Sequence, residues 1–103
     1  MSGFLQYVGN NFKLPRSRKL VDADGKLMVK FFIDSIGDNH IDEIINKLVF
    51  AENTKEDLRE KFITDCEEEI RRIFLKMPRW TPGTQNDIPV KSVFTMPFRI
   101  VTR

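Results

Sequence analysis

Two segments of this 103-residue chain carry apolar side chains at every second position, and a proline interrupts one of them. In residues 26–34, Leu27, Val29, Phe31 and Ile33 share one face, while Met28, Lys30 and Phe32 take the other. Period two of this kind reads as a strand with one apolar face and one mixed face. In residues 91–101, Phe94, Met96, Phe98 and Ile100 form the apolar face, opposite Lys91, Val93, Thr95, Pro97, Arg99 and Val101. Proline has no N–H to give to a ladder, so a strand carrying Pro97 belongs at a sheet edge. The chain therefore ends in an edge strand.

Turn-forming residues divide the rest. Phe4, Leu5, Val8 and Phe12 stand at helical spacing, weakened by Gly9 and stopped by Leu14-Pro15. A polar stretch from Arg16 ends at a turn-like Asp24-Gly25, and residues 35–39 read as a hairpin loop containing Gly37. Residues 41–50 are ambiguous. Ile41, Ile44, Ile45, Leu48 and Val49 fit the helical template with Asn39 as a cap, which slightly favours helix. The β-branched isoleucines and the preceding hairpin loop favour a strand. A longer helix follows, with Thr54 as N-cap, Glu56 and Asp57 in its first turn, and Leu58, Phe62, Cys66, Ile70, Ile73 and Met77 on one face before Pro78. Glu67–Arg71 and Glu68–Arg72 are spaced for ion pairing, so Glu67 to Glu69 read as a solvated helix face. Trp80 reads as a core anchor over one end of the sheet, and residues 81–87 as loop.

Composition narrows the chemistry. Seventeen Lys and Arg against 15 Asp and Glu leave a net charge of +2, short of a dedicated nucleic-acid binder. Arg16, Arg18 and Lys19 cluster without an interleaved aromatic, a weak nucleic-acid footprint. No apolar run approaches the roughly 20 residues of a membrane span, and no signal peptide is visible. A lone Cys66 and a lone His40 make no disulfide and argue against zinc. Asp22-Ala23-Asp24-Gly25 resembles the start of a calcium loop, but no carboxylate follows between Lys26 and Ile33, so it reads as a turn. His40, beside Asp38 and Asp42, reads as an exposed loop residue; an enzyme using it with those acids is the remote alternative. No Gly-x-Ser-x-Gly elbow or glycine-rich phosphate loop is present.

The most specific stretch runs Met77-Pro78-Arg79-Trp80-Thr81-Pro82-Gly83-Thr84-Gln85-Asn86-Asp87-Ile88-Pro89-Val90, followed by Thr95-Met96-Pro97. It resembles the join between last helix and last strand of the TonB C-terminal domain, in the form common among Bacteroidetes. Upstream, Cys66-Glu67-Glu68-Glu69-Ile70 is similar to the start of that helix. Residues 25–34 are similar to the family's first strand, and Phe4 to Val8 with Lys13-Leu14-Pro15 to its opening helix and corner. Three departures stand out. Leu14 replaces the usual Tyr, Asp87 replaces a turn Gly, and residues 50–65 are longer than usual, so the last helix should start earlier.

The resemblance implies an α+β fold over residues 1–103 as one domain. Its order is helix, strand, strand, helix, strand, with residues 41–48 as the second strand. The sheet is three-stranded and antiparallel in order 2-1-3, with two helices on one face. It implies no enzyme activity, no catalytic residue, no metal and no cofactor. The implied function is that of a periplasmic domain capturing the TonB-box peptide of outer-membrane transporters by β-strand addition. The peptide-binding residues would be Lys91, Val93, Phe94, Thr95, Met96, Pro97, Phe98, Arg99 and Ile100. Main-chain groups of residues 93–100 would carry affinity, while Lys91, Val93, Thr95 and Arg99 tune specificity. The gap left by Pro97 would fix the register. Further expectations are an inner-membrane anchor and motor-protein partners through a part of the parent before residue 1, no nucleic acid, and a possible homodimer through the edge. The alternative is a TonB-like interaction or dimerisation module of a membrane peptidase or sensor protein, outside transport.

Overall fold

A computed structural model describes residues 2–102. Helix α1 (Ser2–Asn11) and a 3-10 turn (Arg16–Leu20) lead into strands β1 (Ala23–Ile33) and β2 (Asn39–Phe50). Helix α2 (Glu56–Leu75), the short strands β3 (Gly83–Gln85) and β4 (Ile88–Val90), and β5 (Ser92–Val101) complete the chain. The fold is α+β: β2, β1 and β5 make an antiparallel sheet in the order β2-β1-β5, and β3 and β4 a separate two-stranded one. The side chains of Phe4 and Leu5 lie outside the described residues.

The central strand sorts its residues by parity. The Thr102 N–H donates to the Ala23 carbonyl at 3.1 Å, and the Ala51 N–H donates to the Asp22 carbonyl at 2.9 Å. Antiparallel bonds recur at every second pair. Odd residues of β1 therefore bond to β5, and even ones to β2. The odd side chains Ala23, Leu27, Val29, Phe31 and Ile33 are all buried. Across the ladder they meet the even residues of β5, of which Met96, Phe98 and Ile100 are buried. Phe62, Cys66, Ile70, Ile73 and Phe74 of α2 close the core from above. Helix α1 sits beside α2 over β5, with Val8 buried, Phe12 edge-on to Phe98 at 5.4 Å, and the Tyr7 hydroxyl donating to the Ile73 carbonyl at 3.2 Å. Both helices thus lie on one sheet face.

Residues 41–50 form a strand, and a bulge explains their helical appearance. Lys30 pairs with Glu43 but Phe31 with Ile41, which leaves Asp42 as the extra residue. An extra residue shifts the alternation by one. Ile41 and Ile44 therefore face the core together despite standing three apart, and Leu48 and Phe50 follow. That spacing mimics a helix.

Several local expectations are corrected. Asp24 and Gly25 lie within β1 rather than in a turn; Gly25 has φ 145°, and a Cβ there would meet the Lys47 carbonyl at 2.5 Å. His40 lies on β2, not in a loop. Thr54 does not cap α2: its hydroxyl donates to the Ala51 carbonyl at 2.6 Å, and the helix starts after Lys55 without a side-chain cap. Arg72 pairs with Glu69 rather than Glu68 and also donates to the Asn11 carbonyl at 3.0 Å. Of the three glutamates only Glu68 is exposed, and Glu67 and Glu69 are half-buried. Helix α2 stops at Leu75, and Met77 packs beyond it. Residues 83–90 form a β-hairpin where loop was expected, turning through Asn86 (φ 54°) and Asp87 (φ 64°).

Trp80 anchors one end of the sheet as expected. It tilts against Phe31 at 6.3 Å and Phe94 at 6.1 Å, and Phe31 also stacks on Phe94 at 5.4 Å and meets Phe74 edge-on at 4.9 Å. Phe31 is fully buried. Truncating it opens a cavity, so Phe31→Ala should cost about 3–5 kcal/mol in urea denaturation, and Phe31→Leu clearly less. In the β3–β4 turn the left-handed backbone suits glycine better than aspartate. Asp87→Gly should stabilise that hairpin by up to about 1 kcal/mol, read as slower hydrogen exchange of its own amides with little change in global stability.

Candidate functional site: an open sheet edge and the uncovered sheet face

The sheet offers two edges, and they differ. On β2 the bulge at Asp42 breaks the ladder, and the outward Leu48 N–H is taken by the Asn46 side chain, which accepts it through Oδ1 at 2.9 Å. Bulges and local side-chain bonds both blunt an edge against further pairing. The 10-residue strand β5 has no strand on its outer side among the described residues. By the parity above, its even residues give their main-chain groups to β1. The outward row belongs to Val93, Thr95, Pro97, Arg99 and Val101.

This placement divides the expected peptide-binding residues. Phe94, Met96, Phe98 and Ile100 turn their side chains toward the core and their main-chain groups to β1. Val93, Thr95, Pro97 and Arg99 are exposed and face outward along the edge. Pro97 pairs with Met28 at a position that makes no bond to β1, so its missing N–H is a gap in the outer row. Lys91 precedes the strand and sets its ammonium 4.2 Å from the centre of the Phe32 ring. Val101, which the alternation already puts on this face, belongs to the outward row as well, though it is not among the expected peptide-binding residues.

The face away from the helices carries the even residues of β1 with their neighbours. Ile45, Met28 and Pro97 make an apolar row across the three strands, and Lys47, Lys26 and Arg99 make the next. Arg99 reaches Asp24 at 2.9 Å and Lys30 approaches Glu43 at 3.8 Å. No such row is visible from β5 alone, because it needs the register of both ladders.

At the far end of this face the β1–β2 hairpin is held by its own side chains. Asp34 Oδ1 accepts from the N–H groups of Ile36 at 3.0 Å and Asp38 at 2.9 Å, and Asp34 Oδ2 lies 2.8 Å from His40 Nε2. His40 stacks on Phe32 at 4.7 Å. The bond from His40, together with those backbone donors, holds the Asp34 carboxyl below the usual carboxylate range. This Asp–His pair braces the hairpin. Burial pushes the Cys66 thiol up to about 12, so it stays protonated and unreactive. No group of three or more His, Cys, Asp or Glu is placed to hold a metal among the described residues.

Comparison with models of protein families, with curated proteins and with solved structures finds no match.

The lowered Asp34 value links to pH with a definite sign. A depressed folded value contributes stability that is complete above the unfolded value of about 3.9 and is lost as pH falls through the folded value. Asp34→Asn should therefore lower stability near neutrality and flatten the acid limb below about pH 4. Thermal melts of both proteins across that range measure it.

Proposed function

We propose that this chain binds an extended peptide by β-strand addition to the outer edge of β5, as the peptide-capturing domain of a TonB-type energy transducer. The observation that carries this reading is the contrast between edges: β2 is bulged and partly self-bonded, whereas β5 has no strand beyond it among the described residues, and its alternate main-chain groups face outward. Main-chain pairing supplies affinity in this mode, and side chains at alternate positions supply selectivity. The motif resemblance through Trp80, Pro82-Gly83, Gln85-Asn86 and Thr95-Met96-Pro97 supports the TonB assignment, in which the peptide is the TonB box of an outer-membrane transporter. Periplasmic placement and motor partners belong to the same proposal. No helix among the described residues is long and apolar enough to cross a membrane.

The same open edge favours one second reading. Two copies could pair β5 to β5, which would make the domain a dimerisation module outside transport.

Titration with a TonB-box peptide, followed through backbone amides, tests the reading. The outward N–H groups of Val93, Thr95, Arg99 and Val101 should shift and gain exchange protection, while those of Phe94, Met96 and Phe98 change little. Perturbations that avoid β5 would count against the edge, and concentration-dependent protection without peptide would favour the dimer. Pro97→Ala restores the missing donor and should change the register of the bound peptide or admit several registers. Unchanged binding and register would remove Pro97 from the mechanism.

A further inference from the structure

The uncovered face keeps apolar side chains where an antiparallel sheet left in water carries polar ones. Its middle row, Ile45, Met28 and Pro97, has no charge, and Val49 and Val93, toward the two ends, are 70% and 71% exposed. The rows flanking the middle carry the charge. Lys47, Lys26 and Arg99 lie on one side of it, and Glu43, Lys30 and Thr95 on the other, with the bulge residue Asp42 beside Glu43. On β2 the signs are therefore sorted, a base on one side of Ile45 and acids on the other. Arg99 is held by Asp24 and Lys30 by Glu43, whereas Lys26 and Lys47 have no ion pair of their own among the described residues.

We infer that a second copy of the chain covers this face, sheet on sheet, about a twofold axis running across the strands along the middle row. Two twofold arrangements bring the faces together, and charge chooses between them. An axis along the strands sets Lys26 over its own counterpart and Lys47 over Arg99, like charge on like. An axis across the strands keeps each strand over its counterpart and reverses the order of the rows. Ile45, Met28 and Pro97 then meet themselves, Val101 meets Val93, and Lys47 meets Glu43 and Asp42 of the second copy, twice by symmetry. One pairing opposes it, Lys26 over Lys30. Stacked sheets lie about 10 Å apart and cross at about 30°, which leaves lysine chains room to swing their ammonium groups aside. A face of three ten-residue strands measures about 450 Å² per copy, below the roughly 800 Å² of a standard interface, so the pair is weak and concentration-dependent. The outer edge of β5 stays open in it, and nothing in the pairing draws on strand addition.

Sedimentation of the chain alone, from about 10 µM to 1 mM, should show a reversible equilibrium between monomer and dimer. In a mixture of isotope-labelled and unlabelled protein, the methyl groups of Met28 and Ile45 should show contacts between copies. The outward amides of Val93, Thr95, Arg99 and Val101 should exchange as fast at high concentration as at low. Lys47→Glu and Glu43→Lys each set like charges at both symmetric contacts and should weaken the dimer about tenfold. Both positions are exposed, so each variant should keep its fold and its sheet protection. Mixed in equal amounts, the two variants restore both opposite-charge contacts and should associate as tightly as the unchanged chain. A chain still monomeric at about 1 mM overturns the inference. So does a dimer that protects the outward β5 amides, which is edge pairing instead. A mixture of the variants that associates no better than either alone overturns the reversed arrangement and the inference with it.

Discussion

Strand β1 is the one strand of the sheet with a neighbour on both sides, and the rest of the structure depends on how it divides its bonds. Even residues are committed to β2 and odd residues to β5. Because side chains alternate with the same period, the odd residues also supply the apolar side chains that α2 covers. One parity thus serves two purposes. Sliding either ladder by one residue would bring the charged members of the uncovered face under the helices, at the cost of burying unpaired charge.

Much of this was legible in the sequence, where the signal was periodic and long. The two alternating runs located β1 and β5 with the correct faces, and Pro97 correctly put the second on an edge. Where pattern failed, the physical causes are specific. In β2 a single extra residue at Asp42 converts period two into a pattern that counts as helical, and periodicity has no means of seeing a bulge. At Gly25 the aspartate-glycine pair looks like a turn, yet the glycine serves a close approach to the Lys47 carbonyl inside a strand. Thr54 has the right chemistry for a cap but closes the preceding turn instead. The candidate edge was legible because one proline marks it. The cationic row was not, since Lys26, Lys47 and Arg99 are far apart in sequence and meet only through two registers.

The start of β5 is secured from an unexpected direction. A Cβ on Gly37 would collide with the Trp80 carbonyl, and the Trp80 N–H donates to the Gly37 carbonyl at 2.8 Å. Arg79 adds a bond to Asp38 at 3.1 Å. The β1–β2 hairpin therefore grips the segment leaving α2, while the Trp80 ring rests on Phe31 and Phe94. The chain is pinned near the helix end, and the β3–β4 hairpin then extends into solvent before β5 returns along the sheet. That excursion fits the elongated outline of 55 × 22 × 18 Å.

The unequal edges have a consequence for assembly. Sheets that polymerise edge to edge need two receptive rims, so that each added unit renews the site it consumed. Here the Asn46 bond and the Asp42 bulge interrupt one rim, and the proposed strand addition uses the other. Whatever joins β5, a short peptide or a second copy, uses up the single receptive side and leaves none behind. On that proposal growth would stop after one step: a copy meeting its like along β5 would close into a twofold pair instead of seeding a ribbon.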